Sequence, residues 1–255
     1  MVDLILKTGP SDLGGLLSES WRLTKEQLPM LLAVLVIAFA ITFVGIMGIE
    51  VIFVGLIMVL GLVAAGIQQA AGLSEDAVGL IMAIVQIPML LLLYPMIFAI
   101  SSIMYVMMGK AGAAAARGET IQIAPLFEGI GRKTAVCTGI LCLVLLAMLP
   151  AALLLYIPAI YLGLRWSLAF YYVADTNLGV LDCMRASWRA TEGKVLDLFV
   201  KQLVFGLIAF FGVLFTCYLG IFVIGPLQIV MNGLIYVQLS GRDKSGMPDP
   251  DMLAV

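Results

Sequence analysis

The residues with the most chemical potential in this sequence are the few polar ones set among apolar neighbours. Arg165 is the one basic residue inside an apolar stretch, Ile157–Ala174. A charge at bilayer depth costs about 2.5–3.5 kcal/mol on insertion scales, so it calls for a partner or a wet cavity. Asp175, Asp197 and Glu50 are the candidate acids. Asp175 lies about 15 Å further along a straight helix, beyond side-chain reach within one element. Asp197, at the start of the next apolar stretch, is therefore the expected partner. The other reading is a short, tilted segment from which Arg165 snorkels to the headgroups. Glu50 is the only acid in the first apolar block. At a turn it is simply solvated; in an unbroken helix it becomes a buried acid of the kind used in proton paths. Asn232 and Gln228, in the last apolar block, fit interhelical hydrogen bonds better than substrate binding.

Familiar catalytic arrangements are missing. The chain has no histidine, which removes the commonest general base and the commonest metal ligand. It has no HExxH, no GxSxG and no phosphate-binding Walker loop, and Gly109-Lys110 lacks both the upstream glycine and the following Ser/Thr of such a loop. The four cysteines, Cys137, Cys142, Cys183 and Cys217, form no CxxC pair and read as small buried hydrophobes. The 15 methionines form no copper-binding series with His or Cys. No cofactor, no metal and no enzymatic activity are expected, and the lack of a basic run argues against nucleic acid as a partner.

The elements that position these residues follow from composition. Of 255 residues, 63% are hydrophobic and 12% charged, whereas a soluble domain is roughly half apolar and a quarter charged. The apolar residues come in blocks, Met30–Gly72, Ala77–Met108, Ala135–Ala174 and Val195–Leu239, each longer than the ~20 residues that cross ~30 Å of hydrocarbon. Strict alternation is absent, which disfavours a β-barrel. The expected fold is all-α, a polytopic transmembrane bundle of six or seven crossings with amphipathic interfacial helices, in which residues 30–239 form the single membrane domain.

Residues 1–29 form the amphipathic lead-in. Leu13, Leu16, Leu17, Trp21, Thr24 and Leu28 share one face, with Glu19, Arg22, Lys25 and Glu26 on the other, and Ser11 or Asp12 can serve as N-cap. The mixed polar start and the absence of a small-residue cleavage site read as an anchor, not a cleaved signal. Met30–Gly72 would be about 64 Å long as one helix, about twice a bilayer. Gly45, Gly48 and Glu50 predict a tight turn there. Pro88 and Pro95 predict a kink in 77–108, and Pro150 and Pro158 predict a break in 135–174. Short amphipathic helices are expected around Ile123–Ile130 and around Leu178, Leu181, Met184 and Trp188. A hairpin is expected near Gly220, Gly225 and Pro226, and a loose tail over 240–255.

Charge sets the sidedness. Thirteen of the 14 basic residues lie in the N-terminal 27 residues, the 109–134 loop, the 175–201 region and the C-terminal tail. Lys and Arg favour cytoplasmic loops, so these four regions and both termini are expected on the cytoplasmic side. The 72–77 connection instead carries Glu75 and Asp76. An even number of crossings between basic regions leaves one segment of 30–108 in excess, around 49–71, as a re-entrant piece or an extension of the first helix. An internal echo, Ser20-Trp21-Arg22-Leu23-Thr24 and Ser187-Trp188-Arg189-Ala190-Thr191, points to interface anchors Trp21, Arg22, Trp188 and Arg189 at matching depth.

Residues 100–240 carry Arg117-Gly118-Glu119, Leu126-Phe127-Glu128-Gly129, Tyr172-Val173-Ala174-Asp175, Ala186-Ser187, Gly193-Lys194, Gly225-Pro226 and Tyr236. In these the chain resembles poorly characterised bacterial multi-pass membrane proteins, similar to the membrane region ahead of the catalytic domain in some glycerophosphodiester phosphodiesterases. The resemblance implies six crossings with both ends inside, and it supplies no catalytic residue. The expected function is a non-catalytic accessory or scaffold of a bacterial inner membrane. Its partners are then the lipid bilayer and other membrane proteins or further copies of itself. The alternative is a transporter or channel for a small solute or lipid. A transporter calls for a water-accessible cavity lined by Arg165, Glu50 or Asn232; a scaffold calls for a dry core and an exposed apolar or glycine-lined face.

Overall fold

The protein is described by a computed structural model that covers residues 13–72, 74–153, 156–216 and 219–241, the side chains of 151–153 excepted. The expected N-cap at Ser11 or Asp12, Cys217 and the tail from 242 lie outside the described residues. The fold is all-α, and five of its helices are long and apolar enough to cross a membrane.

Helix α1 runs without a break from Leu13 to Ala71, 59 residues or about 88 Å. The amphipathic lead-in and the first apolar block are thus one helix with Pro29 inside it, and the turn expected at 45–50 does not exist. Gly45 is used for packing instead: a Cβ there would lie 2.8 Å from Cγ2 of Ile100. The chain reverses only at Gly72, where φ is +64°, a left-handed conformation that glycine adopts without steric cost. Ser74 then caps α2, Glu75–Ala116, by accepting from the Ala77 N–H, and Glu75 and Asp76 occupy its first turn, where acids complement the helix dipole. Pro88 and Pro95 sit inside α2 without ending it.

The remaining elements are short or single-span. Helix α3 is one turn, Ile123–Leu126, and of that expected amphipathic segment only Leu126 is buried. Helix α4 spans Ile130–Leu153. The second half of the 135–174 block is split into α5, Ile157–Trp166, and α6, Ala169–Asp175. Together they make one broken segment, each half shorter than the ~20 residues a crossing takes. Helix α7, Val180–Ala190, turns Cys183, Met184, Ser187 and Ala190 inward and leaves Leu178 and Leu181 exposed, so its buried stripe is offset from the expected one. Helices α8, Val195–Phe215, and α9, Ile221–Ser240, complete the chain. Gly220 caps α9 at its start, while Gly225 and Pro226 lie within it.

Helix α9 is the axis of the bundle, with twelve buried residues between Pro226 and Ser240. Small residues on α2 let α9 and α6 approach. A Cβ on Gly112 would lie 2.6 Å from the Ile229 carbonyl oxygen, and one on Gly109 would lie 2.8 Å from Cβ of Ala174. Such close backbone contact is the usual basis of helix association in lipid, where burial of apolar surface gives no drive. The outer parts of α1 and α2 are different in kind. No described residue from 50 to 101 is buried, and the only charges between Glu50 and Lys110 are Glu75 and Asp76. This stretch is a two-helix hairpin standing beyond the bundle, about 32 Å long from Glu50 to its turn.

Candidate functional site

Described parts of three basic regions, the end of the N-terminal segment, the 109–134 loop and the 175–201 region, meet at one end of the bundle, around a largely buried ion pair. Arg117 follows the last turn of α2, and Asp175 ends α6. The two form a fork-to-fork pair, Nη1 to Oδ1 at 2.8 Å and Nη2 to Oδ2 at 2.6 Å, with side chains only 9% and 14% exposed. Tyr236 of α9 donates its hydroxyl to Oδ2 of Asp175 at 2.8 Å. Its ring lies edge-on to Tyr172 and stacks on Tyr171. Burial disfavours charge on Arg117, but the hydrogen bonds it donates to Asp175 and the negative charge of that carboxylate outweigh this, leaving the guanidinium pKa above its ordinary value. Two-point pairing of this kind is what makes a buried arginine tolerable.

Two lysines frame the pair. Lys110 donates to the carbonyls of Pro125, Leu126 and Glu128 at 2.9, 3.3 and 2.7 Å, fastening the 123–129 turn against α2. Lys133 of α4 donates to the Ala174 carbonyl. On the other side, Gln27 of α1 donates to the Glu119 carbonyl at 3.0 Å and accepts from the Ile121 N–H at 3.4 Å. Between them is a polar cleft of about 370 Å³ whose walls include Lys110, Arg117, Thr120, Gln122, Lys133 and Asp175. A second, more apolar cavity of about 400 Å³ lies between α1, α2, α6 and α9, and includes Tyr105, Tyr171, Gln228 and Asn232.

The structure separates the expected intramembrane residues. Arg165 is buried, but among the described residues it pairs with no acid. Nε donates to the Tyr161 hydroxyl at 3.0 Å and Nη1 to the Trp188 carbonyl at 3.1 Å, while the guanidinium lies 4.6 Å from the Trp188 ring and 5.3 Å from the Tyr161 ring. The expected Arg165–Asp197 pair is therefore corrected. Asp197 is held at 2.7 Å by Lys201, one helical turn on, a local bond that costs no long-range ordering, and two aromatic faces replace the acid for Arg165. Asp175, another candidate for Arg165, belongs to Arg117. Glu50 is exposed on an unbroken helix, so it is neither at a turn nor a buried acid. Asn232 accepts from Gln202 of α8 at 3.0 Å, an interhelical bond as expected.

The echoed segments share their burial. Ser20, Thr24, Ser187 and Thr191 all point inward, and each threonine hydroxyl bonds the carbonyl of its own serine, at 2.6 Å for Thr24 and 2.9 Å for Thr191. Trp21 and Trp188 each lie beside a cation, Lys25 at 4.9 Å and Arg165 at 4.6 Å. Arg22 is held by Glu19 and Glu26, whereas Arg189 is exposed. Glu19, expected on the polar face, is buried against Arg22.

Sequence reasoning missed the Arg117–Asp175–Tyr236 cluster. The signal was present, since all three residues stand in the patterns that carry the resemblance, but they are scattered over 120 residues and nothing local links them. No protein-family model matches this chain, and neither does any curated protein or solved structure.

Proposed function

We propose that this chain is a non-catalytic scaffold of a bacterial inner membrane, crossing it six times with both termini cytoplasmic, and that the outer hairpin of α1 and α2 is the surface on which it gathers other membrane proteins. The observation that carries this reading is the hairpin itself: no described residue from 51 to 101 is buried, yet this stretch carries charge only at the tip, on Glu75 and Asp76. From Met30 to Ala71, α1 presents about 62 Å of helix with Glu50 as its one charge, against ~30 Å of hydrocarbon. Tilt within the usual range of 0–40° absorbs only part of the excess. The remainder needs an apolar cover, and large exposed apolar faces mark interaction sites.

The chemistry of the face defines its occupant. A Cβ added to Gly48, Gly55, Gly61 or Gly66 would meet nothing, so these positions are open for close approach of another helix. Without charges along its length, the hairpin suits an apolar helix of a membrane-embedded partner. The crossing count is supported by the charge pattern, which calls for an even number of crossings between one basic region and the next, with α5 and α6 together as the fourth segment.

A photoreactive residue at Leu62 or Leu91 tests this. In intact cells, discrete protein adducts are expected from both positions and not from Phe210 on the outer face of α8; adducts to lipid alone from all three would overturn the reading. The cavity that contains Asn232 favours one rival, a conduit for a small solute or lipid. Its hallmark would be flux in proteoliposomes abolished by Asn232→Leu with folding preserved.

A further inference from the structure

We propose that the polar cleft at the basic end of the bundle is a binding site for a phosphate group. This inference stands apart from the scaffold reading, because it rests on the cleft and not on the hairpin. Three cations, Lys110, Arg117 and Lys133, face the recess. Arg117 is neutralised by Asp175. The ammonium of Lys110 spends three donors on three carbonyls, so it contributes charge and little else. Lys133 differs: among the described residues its ammonium makes one hydrogen bond, to Ala174, and no ion pair, although it is partly buried. An ammonium has three donors, which leaves two for a ligand.

Of the three acids that line the cleft, Asp175 is paired with Arg117, while Glu119 and Glu128 are exposed at its rim, where solvent and salt screen them. With the charges of the lining balanced overall, the less exposed part of the recess is left with the ammonium groups of Lys110 and Lys133. Thr120 and Gln122 also line the cleft and bring a hydroxyl and an amide, both neutral donors. A volume of about 370 Å³ falls within the range of small-ligand sites, roughly 300–1,000 Å³. Basic pockets between helices at the membrane boundary hold lipid headgroups in this way. The shared chemistry is a phosphate oxyanion, supplied either by an anionic phospholipid or by a soluble phosphate compound.

Thermal melts of the full chain in a non-ionic detergent separate the two. The probes are inorganic phosphate and short-chain phosphatidylglycerol, each against sodium chloride at equal ionic strength. At least one is expected to raise the melting temperature in a saturable way. A response to phosphatidylglycerol alone assigns a lipid headgroup, and a response to both assigns a free phosphate. Lys133→Gln should weaken the response at least tenfold, and Lys133→Arg should keep it. Thr120→Glu, which adds a negative charge at the exposed rim and leaves the Lys133 bond intact, should weaken it as well. No response of the wild type to either probe, or an undiminished response in Thr120→Glu, would overturn the site.

Discussion

Gly233 of α9 faces Gly112 of α2 so closely that a Cβ on Gly233 would fall within the carbonyl group of Gly112. The obstacle is backbone, which cannot rotate away, so the two helices must part to admit even a methyl group. Gly233→Ala is expected to cost about 1–3 kcal/mol or more as overpacking, read as a lower melting temperature in detergent. Gly61→Ala, where nothing lies within 4 Å of the new Cβ, should be neutral or stabilising, since alanine is the better helix former by about 1 kcal/mol. Equal losses in the two variants would contradict the crossing.

The buried fork of Arg117 and Asp175 yields a rescue experiment. Arg117→Met deprives Asp175 of its guanidinium and should destabilise by about 3–5 kcal/mol, as breaking one side of a buried pair does. The double variant Arg117→Met/Asp175→Leu removes both charges and should recover part of that loss. Denaturation of the two single variants and the double variant measures the coupling, and simple additivity would mean that the two side chains do not depend on each other.

For Arg165 the opposite result is expected. Its guanidinium is met by Tyr161 and by the ring and carbonyl of Trp188, so Arg165→Leu should cost about 1–2 kcal/mol through lost cation–π and hydrogen-bond contacts. Asp197→Asn breaks only the local link to Lys201, and the two losses should add. Recovery in the double variant would restore the pairing that the sequence had suggested.

Gln27, Glu119, Lys133, Asp175 and Tyr236 gather at one end, and the proposed topology puts that end in the cytoplasm, which labelling tests. In a background without native cysteines, a cysteine at Asp76, on the hairpin tip, should react with an impermeant thiol reagent in intact cells. Cysteines at Thr120 and Glu192 should react only after permeabilisation. Labelling of Thr120 from outside would invert the topology.

The legible part of the fold was the part governed by local averages. Apolar blocks read as helices because any ~20-residue apolar run must satisfy its own backbone in lipid, and the excess of 49–71 was visible as length that did not fit one bilayer. The turn expected at Gly45–Glu50 was misread because a glycine serves equally well in a turn and at a close helix contact. At Gly45 the contact is with Ile100, 55 positions away. Only Gly72, with its positive φ and the Ser74 cap beside it, combines the features that reverse a chain.

By itself, then, the sequence determined the all-α class and the apolar segments, since each depends on composition within a window shorter than one helix. The tertiary structure alone decided which charges meet. Arg165 found aromatic rings and a carbonyl, Asp197 was taken by Lys201 one turn away, and Asp175 was claimed by Arg117 from the end of another helix. Pairing across helices depends on crossing points such as Gly112 against Gly233, and those are set by the shapes of both surfaces at once. No single stretch of chain contains that information.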